Sequence, residues 1–416
     1  MQLIVDRKQL PEDWEIKKLG HVCQIEKYQG IYTNLPYIGM ENIESNAARF
    51  IGSTEPQSVK SSTFKFSPNH ILYGRLRPYL NKVLAPDFVG HCSTEIFPIK
   101  PSECLNRNFL LYWLLIDSTV KRINATCTGA RMPRANMTSV LEFDFPLPPL
   151  PEQKRIVAIL DEAFEAIDRA IRNTEKNLVN SRELFESYLN AIFTQKGNGW
   201  EKKTLKQVSI QFGRGKSRHR PRNDQKLYGG KYPFIQTGDI RNSNHILTSY
   251  SQTYNEVGLA QSKLWSKGTV CITIAANIAE TSVLNFEACI PDSVIGLVVD
   301  QNKANNMFVE YMLQAFKLVL KAKGKGSAQD NINMGTFEAQ TFPFPSIDEQ
   351  ERIISKLDFL STETQRLETI YRQKIAALKE LKQSILQKAF TGELTVQPSS
   401  PTTAATPTTV KEEIRA

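Results

Sequence analysis

No apolar run in this chain approaches the roughly 20 residues a membrane helix needs. The stretch from Phe109 to Ile116 is far too short. No signal peptide is recognisable at the start, so a cytoplasmic chain is expected, with no membrane partner. The six cysteines, Cys23, Cys92, Cys104, Cys127, Cys271 and Cys289, include no Cys-x-x-Cys pair. That spacing signals neither a zinc knuckle nor a redox pair, and free thiols in a reducing compartment are expected. The five histidines, His21, His70, His91, His219 and His245, lack metal-ligand spacing, and His91-Cys92 reads as ordinary strand or loop packing.

Catalytic signatures are missing as well. Gly215-Lys216-Ser217 ends like a phosphate-binding loop, but Ile210 stands where that loop needs its first glycine. Arg218 stands where a dinucleotide loop needs its third. Pro291-Asp292 followed by Asp300 to Lys303 approaches a metal-nuclease pattern, with the lysine one residue too far from its acid. No Asn-Pro-Pro-aromatic signature of an amino-methyltransferase occurs, and no nucleophile, base and acid constellation is found. The expectation is a non-catalytic chain that binds no cofactor or metal itself.

What the chain does have is one long helical pattern, twice. Pro151 to Thr194 aligns without a gap on Asp348 to Thr391, an offset of 197 positions. Glu152, Gln153, Arg155 and Ile156 recur as Glu349, Gln350, Arg352 and Ile353, and Leu160-Asp161 as Leu357-Asp358. Glu183, Leu184, Ser187, Leu189, Phe193 and Thr194 recur as Glu380, Leu381, Ser384, Leu386, Phe390 and Thr391. Apolar residues fall every three or four positions and no Gly or Pro interrupts, so each copy is a rod of roughly 60 Å. Ile156, Ile167, Leu178 and Phe185 mark the seam of the first, and Leu357, Leu367, Ile375 and Leu381 that of the second. A narrow seam cannot bury itself, so the two rods are expected to pair as a coiled coil.

The repeat extends beyond the rods. Trp14 to Leu19 is matched by Trp200 to Leu205, and Pro36-Tyr37-Ile38 by Pro233-Phe234-Ile235. Strands are expected at Ile71 to Tyr73, Glu95 to Ile99, Thr269 to Ile274 and Ser293 to Val299. A shorter helix follows in each half, Asn108 to Ile123 and Met307 to Lys321. Each half closes on a Pro-rich stop, Phe145 to Pro148 and Phe342 to Pro345, and Ser346 with Glu349 forms a potential capping box. The expected class is α+β, with two globular α/β modules, two long helices and an internal repeat. The divisions are module 1–150, helix 151–195, module 196–347, helix 348–393 and a Ser/Thr/Pro-rich tail 394–416, expected to be disordered.

A formal charge of +9 makes an acidic partner reasonable without demanding one. The basic and amide residues cluster in loops, at matched places in the two modules. In the first they are Arg75, Arg77 and Lys82, then Arg131, Arg134 and Asn136. In the second they are Arg214, Lys216, Arg218 and Arg220, then Lys323, Lys325, Gln329 and Asn331. Arginine pairs bidentately with guanine, and Asn or Gln with adenine, so these are candidate contacts to double-stranded DNA.

The doubled plan, the Pro-Glu-Gln-Lys-Arg-Ile and Asp-Glu-Gln-Glu-Arg-Ile openings of the rods, and Lys388 to Leu394 together resemble the specificity subunit of type I restriction-modification systems. The resemblance covers about residues 11 to 394. It implies two target recognition domains, each reading half of a split DNA site, held apart by antiparallel helices related by a pseudo-twofold. It also implies two modification (methyltransferase) subunits that use S-adenosylmethionine to methylate the adenine amino group. Two restriction subunits using ATP and Mg would complete the assembly. Base contacts do not carry over residue by residue. Two other readings remain open: a coiled-coil scaffold whose modules bind a non-DNA ligand, and an orphan sequence-specific DNA-binding protein.

Overall fold

The computed structural model describes residues 10–129, 131–195, 197, 199–275, 278–324 and 334–395, with backbone alone at 323, 324 and 336. The chain divides into two compact units, Met1–Thr174 with Lys374–Ala416, and Glu175–Gln373. The division crosses both long helices near their middles instead of falling at positions 151 and 348. The cause is packing: each half-rod lays its apolar face on the module it adjoins. Of the tail, 396–416 lie outside the described residues, while Leu394 packs against the first unit's core.

In the first unit, strands Cys23–Ile25, Ile96–Pro101, Ile71–Gly74 and Val83–Leu84 form one antiparallel sheet in that spatial order. A second sheet runs Tyr28–Gly30, Thr63–Phe66, Gly90–Cys92 and Tyr37–Ile38, its last pair parallel. Ile71, Leu72 and Ile99 are buried on both faces, which explains why these strands read as unbroken apolar runs. The expected single helix is two, Arg107–Leu114 and Asp117–Ala125. The backbone turns extended at Ile116, which is itself buried. Asn106 caps the first of these helices through its side-chain oxygen.

The second unit repeats this plan with an addition. Its main sheet has five strands in the order Ser209–Arg214, Val294–Val299, Val270–Thr273, Thr281–Leu284 and Ile246–Leu247. The last lies parallel to its neighbour and has no counterpart in the first unit. The smaller sheet runs Gln252–Tyr254, Tyr228–Phe234, Ala288–Cys289 and Leu264–Trp265. Its helical segment is also broken, into Asn306–Ala315 and Lys317–Gly324.

The Pro-rich stops are strands. Glu15–Lys18 pairs antiparallel with Asp144–Leu147, and Glu201–Thr204 with Thr341–Phe344. Pro146 sits opposite Ile16 and Pro343 opposite Lys202. A two-stranded ribbon leaves one side of each strand unpaired, so a proline at that register sacrifices no ladder bond. The ribbon ties the start of each module to the point where its long helix leaves.

The long helices span Leu150–Thr194 and Ile347–Thr391. In the first unit Ile156, Val157 and Leu160 share a core with Leu386, Ala389 and Phe390. Lys382 meanwhile reaches Asp168 at 2.8 Å and stands over the Phe164 ring at 4.4 Å. In the second unit Leu189 and Phe193 share a core with Leu357, and Arg182 reaches Glu368 at 2.7 Å. Within each unit the two helices therefore run antiparallel. Ile156, Ile167 and Leu357 are buried in the seam, and Leu178, Phe185, Leu367 and Ile375 are half-buried along it. Leu381 is a correction: it is 47% exposed and off the packed face. At 3.6 residues per turn the position facing the partner is 382, filled by a lysine whose aliphatic stem packs while its ammonium meets Asp168.

Candidate nucleic-acid interface

In the first unit two arginine loops are zipped together. Arg77 N–H donates to the Pro133 carbonyl at 2.8 Å and Ala135 N–H to the Arg75 carbonyl at 2.9 Å, with a bridge between Leu76 and Arg134. Between them lies Glu95, on the turn that enters strand Ile96–Pro101. Arg134 donates to its Oε1 from Nη2 at 2.8 Å and Nε at 2.9 Å, and Oε2 accepts from Arg134 Nε and from Arg75 Nε, each at 3.1 Å. Partial burial alone would raise the Glu95 carboxyl; the Arg134 hydrogen bonds and both cationic charges outweigh it and hold it below the usual range. Arg75 also lies over the Phe97 ring at 4.9 Å, as does Lys27 at 4.2 Å. Arg75, Arg134, Phe97 and Lys27 line an open cleft of about 670 Å³ together with Thr128 and Asn136.

The other candidates of this module differ in freedom. Arg77 and Arg131 are exposed, Arg77 on a left-handed backbone with φ of 51°. Asn136 caps the helix Met137–Leu141, accepting from Ser139 N–H at 3.3 Å. Lys82 donates to the carbonyls of Met40 and Ile43 at 2.7 and 2.8 Å, so its ammonium secures two turns of the module.

In the second unit the acidic centre is Asp292, between strands Ala288–Cys289 and Val294–Val299. Arg222 Nη2 donates to both its carboxylate oxygens, at 2.7 and 2.8 Å, and Arg220 Nη2 to one at 3.4 Å. Arg214 donates twice to its backbone carbonyl, from Nε at 2.8 Å and from Nη2 at 2.5 Å. Lys216 and Arg218 are exposed beside them. Gly215 explains the glycine in this loop: a Cβ there would stand 2.2 Å from the Ile290 carbonyl. Lys325, Gln329 and Asn331 lie outside the described residues, as does the side chain of Lys323. Their neighbours Lys317 and Lys321 both pair with Glu280, at 2.6 and 3.5 Å.

Sequence reasoning missed Glu95 and Lys27 and weighed Asp292 only against a nuclease pattern, while Arg222 belongs to the same basic run as the candidates Arg214 to Arg220. The signal was present for the acids: Asp292 lies 197 positions after Glu95, the offset of the long helices. The histidine reading fits the packing seen, since His91 is buried between Thr63 Oγ1 and the Gln57 carbonyl, each at 2.9 Å. Among the described residues no group of three or more His, Cys, Asp or Glu is arranged to hold a metal. None of the described helices is long and apolar enough to cross a membrane.

Fold and site together define a two-module protein on doubled long helices, each module presenting arginines gathered on one carboxylate. The family model described as the type I restriction modification DNA specificity domain matches residues 11–180 and again 197–379. The chain belongs to that family, the DNA-recognising specificity subunits of type I restriction-modification systems. It is 21% identical to a putative type I restriction enzyme MjaX specificity subunit of Methanocaldococcus jannaschii, over 94% of this chain and 95% of that protein. It is 20% identical to the StySPI specificity subunit of Salmonella potsdam, over 94% and 92%. Against the EcoDI specificity subunit of Escherichia coli identity is 27%, over 44% of this chain and 42% of that one. The fold is that of a chain from a structure on complex assembly and conformational transition of the type I system, with TM-score 0.78 at 22% identity, covering 92% of this chain and 99% of that one. It is also that of the HsdS subunit from Thermoanaerobacter tengcongensis, with TM-score 0.59 at 22% identity, over 92% and 98%.

Proposed function

We propose that each module reads one half of a bipartite double-stranded DNA target, and that the paired helices set the distance between the halves. The observation that carries this is the duplicated arginine cluster, one per module, built from different loops on a repeated framework. A repeated framework faces two half-sites alike, while different loops let those half-sites differ.

The chain itself is the non-catalytic, cytoplasmic part of the machine. Two modification subunits carrying S-adenosylmethionine dock on it and methylate adenine, and two restriction subunits using ATP and Mg cut unmodified DNA. Support for like partners comes from Leu184 and Leu381. They occupy matched positions of the repeat and are 72% and 47% exposed on their helices. Leucines left in water at equivalent places suit two copies of one partner.

The test mixes the purified chain with DNA, with and without its modification subunit and S-adenosylmethionine. Binding should weaken steeply with salt, because phosphate contacts release counterions. Methyl transfer is expected in the mixture alone. Methylation by the chain by itself, or salt-insensitive binding, would overturn the reading.

A further inference from the structure

We propose that Glu95 and Asp292 are positioning residues for DNA reading: each carboxylate aims a set of arginines at its half-site and withholds them from random phosphates. The inference rests on the function proposed above and deepens it. Four observations carry it. Both acids precede the long strand of the module's main sheet, 197 positions apart, in a chain whose helices repeat at that offset. Both gather two arginines far from the acid in sequence: Arg75 and Arg134, from two different loops, on Glu95, and Arg220 and Arg222, from a single loop, on Asp292. The arginines differ between the modules while the acid recurs, so the acid is the fixed part of the device. Neither acid is alone on a surface, since their side chains are 22% and 30% exposed.

At Asp292 the carboxylate takes Arg222 through Nη2 on both its oxygens; at Glu95 the geometry explains what the carboxylate does. It holds Arg75 by Nε, with the guanidinium lying over Phe97, and the two terminal amino groups of Arg75 have no hydrogen-bond partner among the described residues. A guanidinium fixed at Nε keeps its outer fork in one orientation, which is what bidentate reading of a base edge needs. Fixing it before DNA arrives removes the rotamer entropy that ordering would otherwise cost. The carboxylate also acts on affinity. A phosphate competing for these guanidinium groups meets a negative charge already seated among them, so binding to arbitrary sequence is weakened. The acid thus exchanges non-specific affinity for discrimination.

The experiment uses the chain assembled with its modification subunit, as wild type, E95Q and D292N. Binding to random duplex DNA is measured across salt, and the methylated motif is read by sequencing. Each variant is expected to bind random DNA several-fold more tightly, with a log K against log salt slope steeper by about one. E95Q should relax discrimination about tenfold or more at positions within one half of the motif, and D292N in the other half. Thermal unfolding of each variant is followed alongside. A variant that unfolds early and weakens on all sequences alike has lost a structural prop, which overturns the proposal. Unchanged motif and unchanged random binding overturn it as well. Wild-type complex that fails to bind DNA in a salt-dependent way sinks the parent reading instead, so the two failures are distinguishable.

Discussion

Gln153, fully buried at the start of the first long helix, accepts the backbone N–H of Asn106 on its Oε1 at 2.7 Å. Its amide nitrogen donates back to the carbonyls of Cys104 and Pro148, at 2.9 and 2.8 Å. Gln350 does the same in the second unit, accepting from Asn305 at 2.9 Å and donating to Pro345 at 3.0 Å. About two turns on, Tyr112 donates to Asp161 and Tyr311 to Asp358. The Glu-Gln pair at the head of each rod is therefore a clamp: the Gln fixes the helix to the loop that starts the module's short helices. Its neighbour Glu349 accepts from Trp200 Nε1 at 3.1 Å, joining the repeated Trp to the same corner.

Replacing Gln153 or Gln350 by Ala leaves buried backbone groups without partners. Each variant should lose about 1–3 kcal/mol of stability. The clamps belong to different units, so the double variant should lose close to the sum. Urea unfolding of the two singles and the double measures this, and a loss near zero would mean that the glutamine is a passenger.

The rods, the repeat and the strands were readable because they rest on local pattern. A period of three to four apolar residues without Gly or Pro has one reading, and Ile71 to Tyr73 or Val294 to Val299 have few others. What failed depends on partners distant in sequence. Nothing local says that Phe145-Pro146 pairs with Ile16-Lys17, so a strand looked like a stop. Lys382 takes a seam position because Asp168 and Phe164 meet it, and a polarity pattern assigns that place to Leu381. At the interface, the arginines announced themselves by type and crowding. Glu95 did not, because the Arg134 that gives it meaning is 39 residues away.

The ion pair between Arg182 and Glu368 should make the second unit's helix pairing pH-dependent. Hydrogen bonding from Arg182, which outweighs burial, holds the Glu368 carboxyl below its ordinary value. A depressed folded-state pKa gives stability that is complete above the unfolded value of about 4.3 and is lost as pH falls through the folded one. The arginine is 46% exposed, so the pair is worth about 0.2–1 kcal/mol. The wild type should exceed E368Q by that amount at pH 7, with the gap closing below about pH 4. A gap that persists undiminished at pH 2 would contradict the assignment.

Thiol reactivity should sort by burial. Cys104 is exposed and Cys127 half-buried, while Cys23, Cys92, Cys271 and Cys289 are buried. Burial pushes the thiols of Cys23 and Cys271 up to about 12, where almost no thiolate exists at neutral pH. Alkylation of the native chain, followed by intact mass, should add one label quickly and a second more slowly. The remaining four should react only on unfolding; early labelling of Cys271 would speak against this core.

Exchange of one module should exchange one half of the target. Replacing residues from about Gly199 to Pro345 with the matching module of a relative keeps both ribbon and clamp contacts at equivalent places. Sequencing of methylated adenines in cells carrying the hybrid should show one altered half-site. Both halves changing together would mean that the modules do not read independently.

The proposed ruler has the most exacting test. Seven residues inserted after Thr174 and seven after Gln373, where the units divide, keep each seam on its face by adding one heptad per helix. Each helix lengthens by roughly 10 Å at 1.5 Å per residue. At about 3.4 Å per base pair, the half-sites must separate by about three base pairs. Three base pairs also turn the groove by roughly 100°. DNA or protein has to absorb that twist, so weaker binding is expected along with the longer spacer. A four-residue insertion shifts the spacing less but puts a stutter in the seam, and should cost more stability per residue added. The methylated motif in cells carrying each insertion is the readout. If activity survives with the original spacer, the helices do not set the distance, and the modules must find their half-sites by some other constraint.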